Sequence, residues 1–265
     1  MKLTVLVKQV PQMEDVKFDM EQGRIDRSSA GTQVNPFDLN ALEVAVRLKE
    51  SEGGKVTVIS MGPPQAESAL RKALARGADR AILLTDRIFA GADTKATSFT
   101  LAKSIEKLGN FDLVVCGEKT IDGDTAQVGP EVARMLGIPH VAYVSSVKKV
   151  DENGLEVLCE VWGATYHKKM RFPGLLTVTK DINEPRLPSL KDKLKAKKAA
   201  IEQWGIERFG DIRPDRFGAK GSPTSVREIE IPEEEERKGE IFKGEPSECA
   251  KFLVNKLKER GILRE

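Results

Sequence analysis

Four short apolar runs, separated mostly by helical patterns, constrain the fold of this chain more than any other feature. They are rich in valine, isoleucine and leucine and occupy residues 3–8, 55–62, 80–86 and 111–117. Apolar runs of this length are typical of strands buried on both faces of a sheet. Strands that alternate with helices form right-handed βαβ units. We therefore predict an α/β fold, with a doubly wound, mainly parallel, Rossmann-like sheet.

Such sheets bind their ligands in a crevice at the carboxyl ends of the strands. In this chain, those ends open loops that begin at Lys8, Ser60, Thr85 and Gly117. We therefore expect one binding cleft where these loops meet.

The pattern changes after residue 140. Alternating runs joined by a DENG turn predict an antiparallel addition to the sheet at about residues 140–180. A proline-punctuated, lysine-rich loop follows at about 183–200, and an amphipathic helix with Ser247 as its N-cap ends the chain. We predict an α/β domain over residues 1–210 and a C-terminal arm over 211–265, whose last helix needs a surface to pack on.

Composition excludes several classes of function. The chain has 43 basic and 41 acidic residues, and its lysine run lacks aromatic residues, so we expect no nucleic-acid partner. Three distant cysteines without C-x-x-C spacing and two isolated histidines predict no disulfide framework and no metal site. This cysteine usage fits a reducing, cytoplasmic compartment. The N-terminus resembles neither a signal peptide nor a membrane span, so we expect the protein to meet a membrane only through a partner.

The loop GEKTIDGDTAQVGP, which starts at Gly117, is the strongest candidate site. Asp124 and Gln127 have capping-box spacing, so a well-capped helix is one interpretation. The other is an anion site, because Gly123 permits close approach of a ligand and free amides at a helix start bind phosphate without a lysine. Asp122, if it is turned away from the phosphate, suits ribose hydroxyls or an amino group. The residues alone leave both interpretations open.

Two other loops and one surface stretch give weaker signals. Asn35-Pro36, with Asp38 or Asn40 as a helix cap, and the Gly62-Pro-Pro turn each predict a structural turn when taken singly, but both lie beside the expected cleft. No catalytic set of side chains is present, so any redox chemistry would be carried by a cofactor. The lysine-rich stretch fits either a solvated face or a docking surface.

Several segments together, in this order, resemble the β subunit of electron transfer flavoprotein over nearly the whole chain. They include VKQVP, VNPFDLNALEVAVRLKE, SMGPPQ, IDGDTAQVGPEVARMLGIP, FPGLLTVTKDINEPRLPSLKDKLKAKK and GSPTSV. The resemblance implies an adenine-nucleotide-hydrolase-like fold and a heterodimer with an α subunit that carries an FAD. It also implies that the C-terminal arm packs on that α subunit.

The resemblance also implies site residues. An adenine nucleotide would be held by Leu6, Asn35, Pro36, Phe37, Asp38, Met61, Gly117, Glu118, Lys119, Thr120, Ile121, Asp122, Gly123, Asp124, Thr125, Ala126, Gln127 and Val128. The leucine of the family's docking loop corresponds to Leu187, and Leu190 is a second apolar anchor.

Residues 122–130, DGDTAQVGP, resemble the electron-bifurcating group, in which this site holds FAD. That resemblance implies hydride transfer from NADH to this FAD. One electron then goes to ferredoxin or flavodoxin, and the other passes through the α-subunit FAD to a partner dehydrogenase or quinone oxidoreductase. The alternatives are a non-bifurcating carrier with AMP at the site and, in another class, a stand-alone α/β nucleotide-binding regulator.

Overall fold

The computed structural model describes residues 1–12, 17–19, 24–26, 31–210, 212–226 and 239–263. The strands are β1 (Lys2–Leu6), β2 (Gln9–Pro11), β3 (Lys17–Asp19), β4 (Arg24–Asp26), β5 (Thr32–Val34), β6 (Lys55–Met61), β7 (Arg80–Leu84), β8 (Leu113–Gly117), β9 (His140–Asp151), β10 (Gly154–Val161), β11 (Ala164–Arg171), β12 (Gly174–Val178) and β13 (Glu202–Trp204). The helices are α1 (Pro36–Glu52), α2 (Glu67–Leu74), α3 (Thr94–Leu108), α4 (Val128–Leu136), α5 (Leu190–Lys198), α6 (Gly218–Gly221) and α7 (Pro246–Glu259).

The predicted mainly parallel sheet is confirmed. Within the described ranges, nine strands form one sheet in the order β11-β10-β9-β12-β8-β1-β6-β7-β13. The four strands predicted from the apolar runs lie side by side as β8-β1-β6-β7, and each neighbouring pair is parallel. β2 pairs with β5, and β3 pairs with β4, in separate two-stranded antiparallel ladders.

Helices cover both faces of the large sheet. Successive side chains of a strand point to opposite faces, so each apolar strand has side chains to bury on both sides. In β1, Val5 packs with Leu42 of α1 in one core, while Leu6 packs with Leu101 of α3 in the other. Each fully buried leucine contributes about 1.5–3 kcal/mol to folding. The two cores fix the central strands from both sides, and so they fix the loops at the strand ends.

The predicted antiparallel addition is present in β9, β10 and β11, which pair in sequence order. The prediction is wrong for the last part of residues 140–180, since β12 pairs in parallel with both β8 and β9. All five residues of β12 are buried. This continuous burial is typical of a central parallel strand rather than of a hairpin arm.

The lysine-rich stretch at residues 183–200 is only partly a loop. Its second half is α5, and the Ser189 hydroxyl accepts a hydrogen bond from the backbone N–H of Asp192 at 3.1 Å. A serine N-cap followed by a run without glycine, proline or β-branched residues explains this helix.

Residues 212–226 pack with the α/β domain, so the predicted boundary at residue 210 lies too early. The chain divides into a unit of residues 1–227 and a unit of residues 228–265. Phe217 is 0% exposed, and its ring centroid lies 5.3–5.5 Å from those of Phe89, Phe99 and Phe209. These aromatic contacts hold residues 212–226 against the α/β domain.

The second unit contains the predicted amphipathic helix. In this unit the ring of Phe242 stacks on that of Phe252, with 4.4 Å between their centroids. The predicted N-cap, Ser247, is wrong: α7 starts at Pro246, after Glu245, because proline fits the first turn of a helix. Leu253 and Val254 of α7 are exposed.

We expect Phe217→Ala to lower the free energy of unfolding by about 3–5 kcal/mol, because it leaves a cavity among three other phenylalanines. Urea unfolding of the purified protein, followed by far-ultraviolet circular dichroism, measures this change. Phe242→Ala is the control, because Phe242 lies in the other unit and is 45% exposed. Equally small effects of both substitutions would contradict the inclusion of residue 217 in the α/β domain.

Candidate functional site

A cleft of about 1770 Å³ lies at the carboxyl ends of the central parallel strands. Lys8, Met61, Thr85 and Gly117 all line it, so the loops after β1, β6, β7 and β8 contribute to one site. The strand order β8-β1-β6-β7 explains this arrangement, since the carboxyl ends of parallel neighbours meet at one edge of the sheet.

Twelve of the predicted cofactor-binding residues line this cleft. They are Leu6, Asp38, Met61, Gly117, Glu118, Lys119, Thr120, Gly123, Thr125, Ala126, Gln127 and Val128. The other six predicted residues do not line it: Asn35, Pro36, Phe37, Ile121, Asp122 and Asp124. Several of these six hold the lining residues in place.

Asn35 holds the loop after β8 through its side chain. Its side-chain amide donates a hydrogen bond to the carbonyl oxygen of Lys119 at 2.9 Å and accepts one from the N–H of Ile121 at 3.3 Å. Asn35 is fully buried and is the residue before α1. The predicted caps of α1, Asp38 and Asn40, are therefore wrong, because Asn35-Pro36 starts the helix and Asp38 bonds elsewhere.

Asp38 joins the ends of two strands. Its carboxylate accepts hydrogen bonds from the backbone N–H of Lys8 at 2.8 Å and of Gly117 at 3.1 Å. Burial raises the pKa of Asp38 to about 7, although these hydrogen bonds favour the ionised form. Gly117 is required here, because a Cβ would lie 2.5 Å from the Cβ of Phe37.

The two aspartates of the loop are both paired with lysines. Both carboxylate oxygens of Asp122 accept from Lys8 Nζ at 2.8 Å, and the Asp122 side chain is only 9% exposed. Burial opposes ionisation of Asp122, but hydrogen bonds from Lys8 and Thr120 outweigh it and lower its pKa. Asp124 pairs with Lys119 at 2.8 Å.

The predicted capping box is wrong. α4 begins at Val128 after Gln127, and no side-chain cap bond forms there. Asp124 and Ala126 have φ values of 52° and 54°, in the left-handed region. This turn directs the Asp124 carboxylate to Lys119 instead of to the helix. The first amides of α4 therefore have no side-chain acceptor among the described residues, and they can bind an anion.

The loop after β7 forms a second wall of the cleft that the sequence did not predict residue by residue. Arg87, Asp93, Thr94 and Lys95 line this wall. Asp93 caps α3 and also accepts a hydrogen bond from the hydroxyl of Thr224 at 2.9 Å, which ties residues 222–226 to this wall. The Asp-Thr pair before a helical pattern was a cap signal that could have identified this wall.

The predicted docking residues lie outside the lining of the cleft. Leu187 is 88% exposed and Leu190 is 74% exposed. Leu194, which was not predicted, is also exposed and follows Leu190 by one turn of α5. Leu190 and Leu194 therefore share one face of α5, and Leu187 precedes that helix.

The described residues contain no cluster of histidine, cysteine, aspartate or glutamate that could hold a metal ion. In the same ranges, no helix has the length and apolar character that crossing a membrane requires.

Comparison with known proteins agrees with this architecture. The model of the electron transfer flavoprotein domain matches residues 22–207. Similar proteins include the electron transfer flavoprotein subunit beta of Thermoanaerobacterium thermosaccharolyticum, 46% identical over 99% of this chain and 100% of the relative. The caffeyl-CoA reductase-Etf complex subunit CarD of Acetobacterium woodii is 42% identical over the same shares, and protein FixA of Sinorhizobium fredii is 43% identical over 90% and 86%. The chain therefore belongs to the electron transfer flavoprotein family, as a β subunit.

Proposed function

We propose that this β subunit binds FAD in the cleft and takes part in electron bifurcation. In this proposal NADH is the electron donor. Ferredoxin or flavodoxin receives one electron, and the other leaves through a second FAD in the α subunit. The family assigns electron transfer and an α-subunit partner in general terms. The observation that supports the finer proposal is a large cleft that is lined both by Gly123 and by the start of α4 with its free amides.

The cleft fits a dinucleotide in size and charge. Its volume of about 1770 Å³ exceeds the ~300–1,000 Å³ of common small-molecule pockets. The start of α4 offers amides for a diphosphate, and the exposed cations Arg87, Lys95 and Arg134 border the same cleft. The paired Asp122 and Asp124 leave little uncompensated negative charge in the loop.

The protein's own residues hold the site in shape. Asn35 and Asp38 form hydrogen bonds with the backbone of residues 117–121, at the start of the loop after β8, and Lys8 pairs with Asp122. A ribose contact by Asp122 stays a prediction. It requires the carboxylate oxygens of Asp122 to accept hydrogen bonds from a ribose hydroxyl as well as from Lys8. A bound flavin would supply hydride acceptance and one-electron transfer, while the chain supplies binding and orientation.

A single-FAD carrier with AMP in the cleft is the second candidate. It is favoured by the same helix amides and Asn35-Asp38 corner, which would serve an adenosine phosphate equally well. Extraction of nucleotides from the purified α/β complex distinguishes the two. Two FAD and no AMP per heterodimer support bifurcation, whereas one FAD and one AMP support the simple carrier.

The partners follow from exposed apolar surfaces. Exposed Leu253 and Val254 of α7 suit packing on the α subunit. Leu187 and Leu190 suit a transient contact with a partner dehydrogenase or quinone oxidoreductase. The relative CarD is named as a subunit of a complex with caffeyl-CoA reductase, which supports a partner of the dehydrogenase type here.

We expect Gly123→Val to deplete the nucleotide of the β subunit and to spare the α-subunit FAD. A Cβ at residue 123 meets only the Thr120 hydroxyl at 3.5 Å, so the folded chain accepts a side chain that would obstruct a ligand in the cleft. Nucleotide quantification of the α/β complex measures this loss. Gly239→Val is the matched control, since a Cβ there has no neighbour within 4 Å. Equal loss of both nucleotides would contradict the assignment.

We expect Leu187→Ala to slow electron delivery to a partner by about tenfold, with flavin content unchanged, because an exposed apolar anchor is lost. The measurement is stopped-flow oxidation of the chemically reduced complex by the caffeyl-CoA reductase of Acetobacterium woodii, used as a test acceptor. Trp162→Ala is the control, because Trp162 is also exposed but lies in the turn between β10 and β11, outside the lining of the cleft. Unchanged kinetics in Leu187→Ala would remove the docking role.

A further inference from the structure

The segment that carries the exposed leucines is held at both ends by the α/β domain. We call residues 183–198 the docking segment. At its start, the Asn40 side chain of α1 donates a hydrogen bond to the carbonyl oxygen of Asn183 at 2.8 Å, and Asn183 returns one to the Asn40 carbonyl oxygen at 3.1 Å. At its end, Arg71 of α2 donates to the carbonyl oxygens of Ala196 and Lys197, both at 2.9 Å.

A charged clamp lies between these ends and next to Leu187. Arg186 Nε donates to a carboxylate oxygen of Glu43 at 2.8 Å, and the backbone N–H of Arg186 donates to the same oxygen at 3.1 Å. The two terminal nitrogens of Arg186 bind Glu50 at 2.5 and 2.8 Å. One arginine thus binds two carboxylates that lie two turns apart on α1.

Glu43 is the part of this clamp that a partner protein cannot reach. Its side chain is 4% exposed, while that of Arg186 is 33% exposed. Burial opposes ionisation of Glu43, but the hydrogen bonds from Arg186 and Arg47 outweigh it and keep its pKa below the usual value. The carboxylate is thus paired, as buried charges must be.

We propose that Glu43, Glu50 and Arg186 are positioning residues that hold the docking segment in the conformation that presents Leu187 to a partner. This inference rests on the proposed docking function. Leu187 is next to Arg186 in the chain and is 88% exposed, so its own side chain does not fix its position. A preorganised loop binds more tightly because less conformational freedom is lost on association.

Glu43→Gln tests the clamp without changing the surface that a partner meets. In the α/β complex, we expect this substitution to raise the KM for the caffeyl-CoA reductase by about tenfold, equivalent to ~1.4 kcal/mol, with kcat and flavin content unchanged. Hydrogen exchange of the amides of residues 183–189 should become faster. Glu50→Gln gives a smaller effect of the same kind and serves if Glu43→Gln fails to fold.

A double-mutant cycle separates positioning from direct contact. If Glu43 acts through Leu187, Glu43→Gln adds little to the effect of Leu187→Ala, whereas independent contributions add. The matched control is Arg80→Gln, which breaks another two-bonded arginine–glutamate pair, with Glu202, outside the docking segment. This control should leave KM and exchange unchanged.

The outcomes separate this inference from the function on which it rests. Slower transfer in Leu187→Ala, with wild-type KM and exchange in both Glu43→Gln and Glu50→Gln, overturns the clamp and leaves the docking function standing. If Leu187→Ala has no effect on electron transfer, the docking function is wrong, and the clamp proposal is wrong with it. The exchange measurement needs no partner, so unchanged exchange in both clamp variants overturns the proposal even if the reductase does not accept electrons from the wild-type complex.

Discussion

The rest of the site depends on the Asp38 carboxylate, which accepts hydrogen bonds from two backbone N–H groups. These groups belong to Lys8 and Gly117, which lie at the ends of the adjacent strands β1 and β8. A strand end has amides that the ladder no longer satisfies, and a buried amide without an acceptor is costly. Asp38 satisfies both and so fixes the origin of both loops. The cost appears in the carboxylate itself, because burial raises its pKa to about 7.

Helix α1 extends this order from the cleft to the docking segment. Its first residues, with Asn35 before them, hold the loop after β8, while Asn40, Glu43 and Glu50 hold the docking segment. A helix packed along one face is a stiff element, and α1 contributes Leu42 and Ala45 to the core. Helix α1 therefore links the loop after β8 to the part of the docking segment that carries Leu187. Electron transfer between proteins benefits from such fixed geometry, because docking then costs little reordering.

The sequence predicted the elements whose pattern is local and missed those that depend on distant partners. The apolar runs predicted β1, β6, β7 and β8, because burial on both faces leaves no polar alternation. β12 has the same pattern, but the hairpin signals before it concealed its parallel pairing. The start of α4 was missed because the backbone turn at Asp124 and Ala126 cannot be read from capping-box spacing. The burial of Phe217 depends on Phe89, more than a hundred residues earlier in the chain.

The acidic loop illustrates why residue type alone gives a poor estimate of local charge. Asp122 and Asp124 precede the start of α4, where a nucleotide phosphate would meet helix amides. Lys8, from the loop after β1, pairs with Asp122, and Lys119, from the same loop as the aspartates, pairs with Asp124. Each pair cancels a charge within about 3 Å, so an approaching phosphate would meet the field of the helix amides more than that of the carboxylates. The aspartates thus shape the loop, and the lysines make that shape compatible with an anionic ligand.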